Sequence, residues 1–149
     1  MDPVIEQIRN IDITHQIHQG GNAWWELRGN IAPEQLREGL RPAVENYLRH
    51  KVLLRAIAET SAYDPNVRSA YGELMSHSID QLTELIAERQ RQRRISRRVD
   101  APRTAAWLIW MFERGLYQLA GHATDPGDVE AWLDSVTNIV WHTLYSSDA

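Results

Sequence analysis

The sequence predicts an all-α domain of five or six helices, and three observations carry that prediction. Apolar residues recur at helical spacing along the 149-residue chain. No run of four to eight residues alternates as a half-buried strand would, and no hairpin dipeptide separates such runs. Eight apolar residues in succession, Ala105 to Phe112, then give one helix no polar face of its own. Such a helix must be covered on every side. Eight residues are far too few to cross a bilayer, which takes about 20. The expected cover is therefore double, with one face on an internal pocket and one on a second copy of the chain.

The elements follow in order. Residues 3–18 read as a first helix with Val4, Ile5, Ile8, Ile11 and Ile13, ended by Gly20-Gly21-Asn22. The stretch from Trp24-Trp25 to Ala32 reads as irregular. Pro33 at a first-turn position opens a second helix, with Leu36, Leu40, Ala43, Val44 and Tyr47 on one face. Pro42 inside it removes a backbone hydrogen bond and is expected to kink or restart the helix. Residues 51–62 form a short apolar helix. Asp64-Pro65 then pairs a cap with a first-turn proline, opening a long helix that carries Val67, Tyr71, Leu74, Met75, Ser78, Leu82, Leu85 and Ile86 to about residue 94. A further helix is expected from near Pro102 to Gly121. The last begins at Asp125-Pro126 and runs to Tyr145, with apolar residues around more than half of its circumference.

Composition narrows the function. A chain of this length is one domain that buries its own core. The absence of cysteine removes disulfides, thiolate metal sites and a cysteine nucleophile. The formal charge of −4 opposes a chain built mainly to grip nucleic acid. The N-terminus lacks the pattern of a signal peptide, so the expected compartment is the cytoplasm, with no membrane contact. Six tryptophans suit a core, an interface or an apolar ligand site equally well.

No constellation specific to catalysis stands out, and no enzyme activity is expected. His15 and His18 are the only close histidine pair and lack a third ligand at metal spacing. No cofactor or metal is expected; neither a phosphate loop nor a serine elbow is present. The run Arg89, Arg91, Arg93, Arg94, Arg97 and Arg98 reads as a solvated helix end in which positive charge complements the macrodipole. Glu113-Arg114 interrupts the apolar helix, and each is expected to pair with another helix or with the second subunit. The stripe Tyr71, Met75, Ser78 and Leu82, with Tyr47, Ile109, Phe112 and Leu116, fits plain core or an apolar ligand pocket; periodicity leaves both open.

A resemblance decides between them. The segments PEQLREGLRPAVENYLRHKVLLRAIAET, YDPNVRSAY, AAWLIWMFERGLYQLAG and DPGDVEAWLDSVTNIVWHTLY together resemble the C-terminal regulatory domain of TetR-family transcriptional repressors. The branch they resemble is the ethionamide-resistance repressor type. Its most specific elements here are the Met-x-Glu-Arg motif at Met111–Arg114 and the Trp-Leu-Asp…Leu-Tyr pattern of the last helix.

The resemblance implies an effector pocket between the second, fourth, fifth and last helices. Its walls would be Leu36, Ala43, Tyr47, Tyr71, Met75, Ser78, Leu82, Ile109, Phe112, Leu116 and Val140. An apolar or aromatic effector is expected, with Ser78 and Tyr47 as hydrogen-bonding groups. The resemblance also implies a homodimer whose last two helices form an intersubunit four-helix bundle, the interface drawn from Trp110, Arg114, Tyr117, Trp132, Ile139 and Trp141. Residues 1–20 would be the end of a connecting helix and 21–149 the ligand-binding and dimerisation domain. The family's N-terminal helix-turn-helix has no counterpart in these residues, so DNA contact is expected only through that missing reader. The alternative is a stand-alone helical dimer acting as a protein-interaction or ligand-sequestering module.

Overall fold

The computed structural model describes residues 29–120 and 125–146, together with Pro3, Trp24 and Leu27. The expected first helix, its Gly20-Gly21-Asn22 stop and the His15/His18 pair lie outside the described residues, apart from Pro3. Among the described residues the fold is all helical. The elements are α1 (Pro33–Arg49), α2 (Lys51–Ser61), α3 (Pro65–Arg91), α4 (Ala101–Gly115) and α5 (Pro126–Val140). α4 runs on into a π-helical turn at Leu116–Ala120, and α5 into another at Trp141–Tyr145.

Local chemistry sets the starts. The Asp64 carboxylate accepts the N–H groups of Asn66 and Val67 at 2.9 and 3.3 Å, Asp100 that of Arg103 at 3.0 Å, and Asp125 that of Gly127 at 2.9 Å. Each satisfies donors that a helix start leaves orphaned. α1 starts without a capping side chain, and Gln35 reaches back to accept the Ala32 N–H at 2.7 Å. α3 stops at Arg91, short of the expected residue 94, because Arg93 turns left-handed with φ 61°. The Arg94 N–H then returns to the Arg89 carbonyl at 2.8 Å, a helix ending that glycine usually provides.

α1 continues through Pro42, so the proline does not restart the helix, which corrects that half of the sequence expectation. The turn it weakens is braced by Arg41, whose guanidinium donates to Glu38 at 3.0 and 3.2 Å. Burial of Leu40 and Val44 on either side of the proline does the rest. These contacts offset an interior proline, which costs about 3 kcal/mol.

α3 lies along α4, α1 against α5, and α2 against α3. The core between them holds Leu36, Leu40, Ile57, Val67, Leu82, Ile86, Leu133, Leu144 and Tyr145. Arg89 corrects the reading of the arginine run as solvated: it is only 3% exposed. Its Nε donates to the Leu144 carbonyl at 3.0 Å and its guanidinium lies 4.4 Å from the centre of the Tyr145 ring. It thereby ties the end of α3 to the end of the last helix.

A cluster of charges holds α5 to α1 at the surface. Arg37 donates to Glu130 and Asp134, and Arg41 donates to both Glu130 oxygens at 2.7 and 3.1 Å. The hydrogen bonds from Arg41 and then Arg37 hold the Glu130 carboxyl down at about 2, against an ordinary 4.5. A depressed carboxyl contributes stability above its unfolded value and loses it as pH falls through the folded value. The melting temperature should therefore drop between pH 4.5 and about 2, and Glu130→Gln should make that limb shallower. Identical acid limbs for the two proteins in a thermal melt would show that the cluster does not contribute.

Candidate functional site

A cavity of about 100 Å³ lies among α1 to α4. α1 supplies Ala43, Asn46 and Tyr47; α2 supplies Leu54; α3 supplies Tyr71, Met75 and Ser78. α4 and its π turn supply Ile109, Phe112, Glu113 and Leu116, and Trp24 closes the wall from the segment before α1. Eight of the eleven expected pocket residues meet here: Ala43, Tyr47, Tyr71, Met75, Ser78, Ile109, Phe112 and Leu116.

Leu36, Leu82 and Val140 do not line it; they are almost fully buried in the core instead. Leu36 sits seven residues before Ala43 on α1, roughly 10 Å along the axis, and Leu82 one turn beyond Ser78. Val140 belongs to α5, and no residue of that helix lines the cavity. Leu54 of α2 and Trp24 form wall there. Trp24 comes this close because Gly39 lacks a side chain: a Cβ there would stand 3.2 Å from the Trp24 Cβ and 3.1 Å from the Leu27 Cδ1.

The wall is apolar apart from one cluster. The Tyr71 hydroxyl donates to Glu113 Oε1 at 2.6 Å, and both groups are buried. Glu113 therefore pairs with another helix, as charge burial requires. Its second oxygen accepts no hydrogen bond, and the nearest cation, Arg114 Nε, stands 3.7 Å away. Asn46 Oδ1 is likewise buried without a donor. Each such buried acceptor costs about 1–3 kcal/mol. Burial, and next the Glu113 charge, push the Tyr47 hydroxyl up to about 12. The same causes, joined by its hydrogen bond to Glu113, push Tyr71 well above the usual tyrosine range.

Sequence reasoning missed Trp24, Asn46, Leu54 and Glu113. For two of these a signal existed. Asn46 stands three residues after Ala43, and Glu113 four after Ile109, so each shares a helix face with an expected wall residue.

The expected interface residues divide. Trp110 and Ile139 are exposed, and Trp132 is half-buried. With Trp107 (78% exposed), Met111, Leu119 and Val136 they cover the outer side of α4 and α5. An apolar hollow of about 130 Å³ lies among Met111, Leu119, Trp132, Val136 and Ile139. Arg114 and Tyr117 also find partners within the chain. The Arg114 guanidinium lies 4.7 Å from the Tyr117 ring centre, with Arg55 of α2 at 5.6 Å. Trp141 stacks on Tyr145 at 5.9 Å. Among the described residues no three His, Asp or Glu side chains are grouped to hold a metal, and no helix is long and apolar enough to cross a membrane.

A helical domain that builds an apolar pocket among its helices and leaves the outer faces of its last two helices exposed has the build of a ligand-sensing regulatory domain. The family model "Transcriptional regulator EthR, C-terminal domain" matches residues 36–146. The chain belongs to that family, the C-terminal domains of TetR-type transcriptional regulators, which is a family of regulator domains and not of enzymes. No curated protein matches the chain.

Proposed function

We propose that this chain is the effector-binding and dimerisation domain of a TetR-family repressor, in which an apolar or aromatic small molecule in the α1–α4 cavity relieves DNA binding by the parent protein. The observation that carries this reading is the convergence of eight expected wall residues, from three helices and a π turn, on one cavity. In its present shape that cavity is smaller than the 150 Å³ or so that accepts benzene. An effector must then favour a wider state, which is the differential affinity that a population shift requires. Trp24 offers the route outward, since it lines the cavity and belongs to the segment leading back toward residues 3–18. By linkage, operator DNA would weaken effector binding by the same factor. The exposed α4–α5 face would be covered by the same face of a second copy, as the family architecture has it.

The test uses indole, a neutral aromatic of minimal size, followed by calorimetry and thermal melting. One saturable site per chain, with a melting temperature that rises with indole concentration, is expected. Ser78→Phe, which fills the cavity, should abolish that site. A chain that melts cooperatively yet shows no saturable indole binding would end the effector-pocket reading.

A further inference from the structure

Two of the twelve residues around the cavity carry a buried acceptor atom that receives no hydrogen bond. Asn46 is 7% exposed and Glu113 is 9% exposed. Asn46 Oδ1 and Glu113 Oε2 are both acceptors, and neither accepts a hydrogen bond from the protein. The sequence expectation was an apolar or aromatic effector, with Ser78 and Tyr47 as its hydrogen-bonding groups. The two acceptors stand one residue beyond Phe112 on α4, and on α1.

We propose that Asn46 and Glu113 receive a protonated amine, so that the effector is an alkyl- or arylalkyl-ammonium with an apolar body. This deepens the effector-pocket reading and rests on it. Three features select a cation over another polar group. Both of these atoms accept and neither donates, so at this pair of atoms a carboxylate or ether head would meet only lone pairs. A buried carboxylate makes the strongest hydrogen bonds with a charged donor. The rings of Trp24, Tyr47, Tyr71 and Phe112 stand in the same wall, and aromatic faces attract ammonium groups.

The charges around the site permit this. Tyr71 holds Glu113 Oε1 by donating to it, which leaves Oε2 as the oxygen without a hydrogen bond. Arg114 is the nearest cation, but its side chain is half-exposed and lies against the Tyr117 ring. Arg55 leans on the same ring and pairs with Glu59 at 3.2 Å. The Ser78 hydroxyl and the Tyr47 phenol, each able to accept or to donate, add oxygens at the wall.

Calorimetry with three probes that share a phenylethyl body tests the proposal: 2-phenylethylamine, 2-phenylethanol and 3-phenylpropionate. The amine should bind at least about tenfold tighter than the alcohol, and the carboxylate weakest. In Glu113→Gln the amine-to-alcohol ratio should fall below about twofold. If that variant does not fold, Asn46→Leu should lower the same ratio and Asn46→Asp should raise it. Amine and alcohol binding equally, or a ratio that survives both Glu113→Gln and Asn46→Leu, overturns the amine proposal and leaves the pocket reading standing. No binding of any probe, nor of indole, overturns both.

Discussion

Ile139→Asp is expected to leave the chain a 17.2 kDa monomer at concentrations where the unaltered chain is a dimer. Ile139 is 46% exposed in the single chain and stands on the rim of the hollow between α4 and α5. The substitution therefore removes little from the subunit's own core. Across a two-fold axis each change occurs twice, so the dimer would lose two apolar contacts and bury two unpaired carboxylates. At about 2 kcal/mol or more per copy, the dissociation constant should rise at least about a thousandfold. Light scattering over a dilution series reads this directly, and the melting transition of the monomer checks that the subunit still folds. A dimer of unchanged affinity would place the interface elsewhere. An unaltered chain that is itself monomeric would show that no second copy covers this face.

Exposure elsewhere on the α4–α5 face makes that expectation more than a family analogy. Trp107, Trp110, Met111 and Leu119 are all exposed in one chain, alongside Ile139. Monomeric soluble proteins seldom leave a contiguous apolar surface of several large side chains in water. Beyond the first two residues of α4 the exposed residues fall at 103, 107, 110, 111 and 114, the spacing of a single helical stripe. The opposite stripe, with Ala105, Leu108, Ile109 and Glu113, is buried. The eight-residue apolar run is thus divided between an inner face packed along α3 and an outer face left uncovered.

That division shows what could be read in the sequence and what could not. Helix starts were legible because they are local: Asp64-Pro65 and Asp125-Pro126 carry both cap and first-turn proline within two residues. The cavity was legible as a set of helix faces, since periodicity fixes the angle of a residue around its axis. Height along the axis is fixed only by how helices pack. For that reason Leu36 and Leu82 share the stripes of Ala43 and Ser78 yet stand in solid core. Trp24 had no periodic signal at all, and its place depends on a close approach to Gly39 from elsewhere in the chain. Arg89 shares the composition of a solvated run, but Leu144 and Tyr145, 55 and more residues away, supply its partners.

Tyr71→Phe is expected to destabilise the fold by about 3 kcal/mol, out of proportion to the single oxygen it removes. The ring and its edge-on contact with Trp110, at 5.9 Å and 84°, are kept. The donor to Glu113 Oε1 is not, and Oε2 already lacks one. Glu113 would then be a buried carboxylate with neither oxygen hydrogen-bonded, which is the costly way to break a buried pair. Removing both polar groups in Tyr71→Phe with Glu113→Leu should recover much of the loss, because what is expensive is a buried carboxylate left without a hydrogen bond. Additive losses in the double variant, measured by denaturant unfolding at one fixed concentration, would refute this coupling. The pH dependence gives an independent check. Tyr71 and Tyr47 both ionise later in the folded chain than the ordinary 10, Tyr47 at about 12. A group raised on folding contributes stability below its unfolded value and loses it as pH rises toward the folded one. The unaltered protein should therefore lose stability from about pH 10 upward, and Tyr71→Phe should lose it less steeply, having one such hydroxyl fewer. Equal alkaline slopes would mean that Tyr71 is not held as the un-ionised donor to Glu113.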